Sequence, residues 1–238
     1  MNKIEILGIP FHAVTFDEAL DTLESFLDTD KNHVVVTPNP EGVMQARRNP
    51  DLAHAIKTAD LSLADGTGIV LAAKFKRLKI PGRVRGVDTT FALLDRLAHR
   101  CGTICILGGK PGVAEQAGAN IEERYPGIEV VGCADGYFTD DTEIIAEINA
   151  LNPDVLIVGL GMPRQELWAA KNKNINARIT MCVGGTIDII AGEVELAPPI
   201  LRKLGLEWLY RLVKQPSRFK RQLDIPRFVL AVLFGRQR

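Results

Sequence analysis

Short apolar runs alternate with helix-patterned stretches along most of the chain, a pattern that a sheet covered by helices on both faces accommodates. Residues 34–36, 61–63, 103–107, 129–132, 155–158 and 179–183 read as short buried strands. Helical spacing fills the intervals: 16–27 behind Thr15 or Asp17 as cap, 41–48, 50–58 opened by Asn49 and Pro50, 87–100, 112–125, 139–151 and 163–171. The expected architecture is α/β: a Rossmann-like parallel or mixed sheet with helices on both faces. With 238 residues, 46% of them hydrophobic, the chain can bury one sizeable core.

Open α/β sheets keep their chemistry at the carboxyl ends of the strands. Two such ends lead: Thr37-Pro38-Asn39-Pro40-Glu41 and Ala64-Asp65-Gly66-Thr67-Gly68. Asp65 is the first candidate, because Gly66-Thr67-Gly68 lets a ligand come close to the backbone. Gly108-Gly109-Lys110-Pro111-Gly112 joins a strand to a helix, and its backbone N–H groups with Lys110 suit a nucleotide diphosphate. It is neither a Walker loop nor a full G-x-G-x-x-G, and a plain tight turn explains it as well. Gly159 and Gly161 open another strand end, followed by Gln165, whose amide suits a base or sugar hydroxyl, and by Glu166, a ligand contact or a helix-start charge. Gly184-Gly185-Thr186 repeats the theme. Arg83 and Arg85 suit phosphate. Asp88 is a ligand contact or a first-turn acid, and Tyr137 in Asp135-Gly136-Tyr137-Phe138 stacks on a base or simply packs.

The formal net charge of zero hides an asymmetry. Residues 198–238 hold ten basic side chains and two acids, a balance of +8, leaving 19 basic and 27 acidic residues elsewhere. A basic tail on an acidic body points to an anionic partner. Pro198-Pro199 marks the break, and Leu201, Leu204, Trp208 and Leu212 then recur at helical spacing among cations. Such a segment either lies in a membrane interface or packs on the body with its charges solvated. The cysteines Cys101, Cys105, Cys133 and Cys182 form no C-x-x-C pair and read as buried free thiols of a reducing compartment. The four histidines lack metal-ligand spacing, so no metal and no cofactor are expected. Neither a leader peptide nor a membrane span is expected, the longest late apolar run being 228–234.

Taken together and in order, T-P-N-P-E (37–41), A-D-G-T-G (64–68), R-V-R-G-V-D (83–88), L-G-G-K-P-G-V-A-E (107–115), D-G-Y-F (135–138), G-L-G-M-P-R-Q-E (159–166), G-G-T-I-D-I-I-A-G (184–192) and G-L-E-W-L-Y-R-L (205–212) resemble the WecG/TagA/CpsF glycosyltransferase family, and within it the teichoic-acid branch. Ile187 stands where an aromatic is common in the family, and Pro40 where alanine is frequent; neither touches a charge. The resemblance implies an inverting, metal-independent transfer of N-acetylmannosamine from UDP to undecaprenyl-diphosphate-linked N-acetylglucosamine. Asp65 is then the base, and Thr37 and Asn39 position the sugar or the attacking hydroxyl. Arg83, Asp88, Gly108, Gly109, Tyr137, Gly161, Gln165, Glu166 and Gly185 hold the donor. Residues 1–197 form the catalytic domain, and 198–238 a basic amphipathic helical appendage docked at the cytoplasmic leaflet. Arg211, Lys214, Arg218 and Arg221 in that appendage meet the lipid diphosphate. The implied partners are a UDP-sugar, a polyprenyl-diphosphate-linked acceptor and the inner face of the cell membrane, with no nucleic acid; a homo-oligomer in solution would cover the tail's apolar surface. Transfer of N-acetylmannosaminuronic acid, glucose or galactose on the same fold, and a non-catalytic nucleotide-binding scaffold, are the competing readings. A dinucleotide oxidoreductase fits less well, because no acid ends the strand near Val131 to bind a ribose.

Overall fold

The computed structural model describes residues 1–203, 205–214 and 219–235, with Lys203, Arg211 and Lys220 by backbone alone. The chain opens with an antiparallel hairpin, β1 (Lys3–Ile6) and β2 (Ile9–His12), that the strand reading above omitted. Leu7 and Gly8 form its two-residue turn, both at positive φ, which matches the twist of the flanking strands. Ile4, Ile6, Ile9 and Phe11 turn inward. The helix α1 (Phe16–Leu27) follows, capped by Thr15 in a reciprocal capping box with Glu18.

Six parallel strands make the main sheet: β3 (His33–Val36), β4 (Leu61–Ser62), β5 (Thr103–Gly108), β6 (Glu129–Ala134), β7 (Val155–Gly159) and β8 (Ile179–Cys182). Their order is β4-β3-β8-β7-β5-β6. Each expected strand is present within one or two residues of its place. The connecting helices are α2 (Pro40–Ala46), α3 (Pro50–Thr58), α4 (Thr67–Phe75), α5 (Gly86–Ala98), α6 (Val113–Arg124), α7 (Thr142–Leu151), α8 (Arg164–Lys171) and α9 (Thr186–Ile190).

Alternate strand residues feed two separate cores, as pleating requires. Val34, Val36, Leu107, Leu156 and Val158 face the hairpin, α2, α3, α4, α7 and α8. Val35, Ile104, Ile106, Ile157 and Met181 face α1, α5, α6 and α9. The helices leaving β3 and β7 thus lie on one face and those leaving β8 and β5 on the other. Adjacent strands whose exits diverge leave crevices at their carboxyl ends, where open sheets bind ligands.

The tail forms α10 (Pro199–Lys203), α11 (Glu207–Lys214), α12 (Phe219–Gln222) and α13 (Asp224–Phe234). The helical spacing read from Leu201 to Leu212 falls on two helices, interrupted at Gly205, whose φ is +73°. α13 packs on α2 and α4, inserting Phe228 and Val232 into the first core. Among the described residues no helix is long and apolar enough to cross a membrane. Cys105 and Cys182 are buried free thiols and Cys133 is half-buried, but Cys101, at a positive-φ turn, is exposed, against the expectation of burial.

Candidate active site

The carboxyl ends of β3 and β4 bring Thr37, Asn39 and Asp65 together. Asp65 is half-buried, and its Oδ2 accepts a hydrogen bond from the Gly86 amide at 3.2 Å, in the first turn of α5. Thr37 lies against the same residue: a Cβ on Gly86 would stand 2.9 Å from Thr37 Oγ1. Glycine there lets the two strand ends close on one point. The Thr37 hydroxyl donates to the Cys182 carbonyl at 3.3 Å, tying β3 to the end of β8. Asn39 is exposed and caps α2, its Oδ1 accepting from the Gly42 amide at 2.9 Å. It borders Gly66, and so the Asp65 turn, since a Cβ on Gly66 would sit 3.8 Å from Asn39 Cβ.

The other half of the site is a meeting of glycines. Gly108 and Gly159 are register partners on β5 and β7, and a Cβ on Gly108 would strike the Gly159 backbone at 2.6 Å. Ile187 of α9 covers Gly159 equally tightly. The Gly109 carbonyl accepts from the Gly136 amide at 2.9 Å, which lays the Asp135–Phe138 turn over the glycine loop. Arg164 pins that turn through the carbonyls of Gly136 and Phe138 and stacks on the Phe138 ring at 4.4 Å. Tyr137 stands at 72% exposure at this edge, open for stacking. Gly161, at positive φ, opens the loop into α8 with open space where a Cβ would be. Gly112 precedes α6, whose first amides point toward the same rim.

Gln165 and Glu166 are more deeply placed than their helix-start position suggests. Both are buried, and Gln165 accepts from the Gly184 amide at 3.0 Å while donating to Glu166 Oε1 at 2.8 Å. Gln165 therefore locks the Gly184-Gly185 turn, and Gly185 caps α9. Burial raises the Glu166 carboxyl from its ordinary 4.5 to about 7, against the opposing pull of the Gln165 hydrogen bond and the Arg221 charge. Cys182 is buried at the same strand end, and burial raises its thiol well above the ordinary range.

Arg85, read from the sequence as suited to phosphate, has its guanidinium engaged by two carboxylates. Its guanidinium is buried and spans Asp88 at 3.0 Å and Glu207 at 2.8 Å; Asp88, in the first turn of α5, thereby holds Arg85. Arg83 is the more accessible arginine, donating to Thr67 Oγ1 at 3.2 Å and to the Arg202 carbonyl at 3.4 Å beside the Asp65 turn. Of the four tail cations, Arg221 reaches Glu41 through Nε at 2.5 Å, two residues from Asn39. Lys214 reaches Glu195 at 3.5 Å on the surface. Arg218 lies outside the described residues, as does the side chain of Arg211. Glu41, Gly86 and Arg164 were not among the expected site residues, although each lies within a quoted motif. Among the described residues no cluster of His, Cys, Asp and Glu is arranged to hold a metal ion.

Residues 4–238 match the glycosyl transferase WecG/TagA/CpsF family. The chain belongs to that family. Two relatives carry the name N-acetylglucosaminyldiphosphoundecaprenol N-acetyl-beta-D-mannosaminyltransferase. The one from Bacillus spizizenii is 34% identical over 210 residues, 88% of this chain and 82% of its own length. The one from Bacillus subtilis is 31% identical over 235 residues, 98% of this chain and 92% of its own length. As a WecG/TagA/CpsF protein the chain is a glycosyltransferase, and its matched span takes in both strand-end groups and the tail.

Proposed function

We propose that this glycosyltransferase moves N-acetylmannosamine from UDP to undecaprenyl-diphosphate-linked N-acetylglucosamine, with inversion to a β-1,4 linkage and without a metal. The observation that carries the reading is the convergence of Asp65 and Thr37 on Gly86, in a chain whose relatives bear that enzyme's name. Four strand spacings separate β4 from β5, roughly 19 Å. That span suits an elongated ligand with its nucleotide over the glycine loops and its sugar toward Asp65.

In the reaction the acceptor hydroxyl oxygen attacks the anomeric carbon. Asp65 takes the hydroxyl proton as that bond forms. The bond from the anomeric carbon to the diphosphate oxygen breaks, and its electron pair leaves with UDP. Arg83, the first amides of α6 and cations of the tail balance the charge that develops. Thr37 and Asn39 orient the sugar and the attacking hydroxyl, and Tyr137 stacks on the uracil. Residues 198–238 dock at the cytoplasmic leaflet, where the acceptor's diphosphate lies.

The test is UDP release from a panel of UDP-sugars, with and without a short-chain lipid-diphosphate N-acetylglucosamine, in EDTA. Release with UDP-N-acetylmannosamine plus acceptor, reduced about 10²- to 10⁴-fold in Asp65→Asn, is the expected result. Release with a uronic acid, glucose or galactose donor instead corrects the substrate. UDP binding with no turnover for any pair favours the scaffold reading.

A further inference from the structure

Past Arg227, α13 is apolar on all sides over residues 228–234. Phe228 and Val232 are buried, while Val229, Leu230, Leu233 and Phe234 are exposed, Phe234 at 79%. A helix of that kind is ordinarily covered all round. A second exposed apolar stripe starts where α4 touches α13: a Cβ on Gly68 would lie 3.9 Å from the Phe228 ring. Leu71 and Phe75 follow Gly68 at three and seven residues, one side of α4, at 60% and 59% exposure. Lys74 lies on that stripe between them. Lys76, Arg77 and Lys79 follow, and residues 66–87 contain no acid at all. Lys74, Arg77 and Lys79 are exposed, and none of the four cations forms an ion pair among the described residues.

We propose that α4 with the segment through Lys79 is a second membrane-contact surface, carried by the body itself, adjoining the outer face of α13 in the tail and fitted to an anionic bilayer. The proposal rests on the membrane-docking part of the function proposed above. The chemistry favours this occupant: the acyl boundary accepts Leu71, Phe75, Leu230 and Phe234 while lipid phosphates accept the lysines and Arg77. A second copy related by a two-fold axis would set these cations against their own equivalents. α4 also begins directly after the Asp65-Gly66 turn. Its nine residues make a strut of roughly 13 Å, so seating its far end in the interface fixes the height of Asp65 above the headgroups.

The test uses the full chain and sedimentation with vesicles of phosphatidylcholine, with and without phosphatidylglycerol. Leu71→Ser/Phe75→Ser weakens binding to anionic vesicles by about tenfold or more. Lys74→Gln/Lys76→Gln/Arg77→Gln/Lys79→Gln weakens it by on the order of 100-fold and reduces its preference for phosphatidylglycerol, leaving the part that the tail's cations supply. Thermal unfolding of both variants matches the parent, because the altered side chains are largely in solvent, and turnover on a water-soluble acceptor is unchanged. A parent chain that binds while both variants bind equally well overturns this surface alone. A parent that binds neither vesicle overturns the membrane docking on which it rests. Variants that lose self-association in the ultracentrifuge but keep vesicle binding assign the face to a second copy, and overturn the proposal.

Discussion

Replacing Glu166 with glutamine should change the pH dependence of stability more than stability itself. The Glu166 carboxyl is 1% exposed, and Oε2 has no hydrogen-bond partner among the described residues. In the folded protein it titrates near 7, against an ordinary 4.5 in the unfolded chain. The folded state therefore holds a proton that the unfolded state has lost between those values. Stability from this group is complete below pH 4.5 and drains away as pH rises through 7. The gap corresponds to about 3 kcal/mol at 1.36 kcal/mol per unit, most of which falls between pH 5 and pH 8.5. Glu166→Gln keeps a carbonyl to accept from Gln165 and carries no titrating proton. Urea unfolding of both proteins at several pH values isolates the effect, because other titrations cancel in the difference. The glutamine variant should gain on the order of 2–3 kcal/mol on the parent between pH 5 and pH 8.5. A difference that stays flat across that range refutes the reasoning.

His12 supplies the opposite slope. Burial, with Lys3 nearby, lowers it from 6.5 to about 4, and its neutral Nδ1 accepts from the Ser62 amide at 2.9 Å. Its contribution is complete above pH 6.5 and lost as pH falls through 4, about 3 kcal/mol in all. Acid unfolding of His12→Gln should show that much less pH dependence. Arg85→Ala leaves Asp88 and Glu207 facing each other without their shared cation. It should destabilise by about 3 kcal/mol in urea unfolding and speed limited proteolysis near residues 200–214.

The sheet was legible because each of its strands is a short apolar run and each helix carries a periodic stripe. The hairpin is marked only by the short alternation Lys3-Ile4-Glu5-Ile6, because its turn, Leu7-Gly8, lacks the Asn-Gly signal. Asp65 and Thr37 could be picked from position alone, since strand ends are where polar residues are least needed for packing. Their meeting at Gly86 could not, because it depends on where α5 starts relative to two other strands. Arg85 illustrates the same limit. Nothing in R-V-R-G-V-D says which arginine turns inward; Glu207, 122 residues later, decides it.

The charge asymmetry of the sequence suggests a basic tail held on an acidic body, yet the main anchors run largely the other way. The tail has two acids, and both dock onto body arginines: Glu207 onto Arg85, and Asp224 onto Arg48 in a two-pronged pair at 2.9 and 2.5 Å. Asp224 is 4% exposed, and the hydrogen bond from Arg48 holds its carboxyl below the ordinary range despite that burial. Pairs this buried are specific in geometry, because separating the partners leaves a charge out of water. Among the described residues, Arg221 on Glu41 is the one partly buried anchor of the expected polarity. A tail fixed chiefly through its few acids keeps more of its cations for an anionic partner, whereas one fixed through its cations would have neutralised them on the body. The distribution of these pairs thus reconciles a well-seated tail with a role at a negatively charged surface.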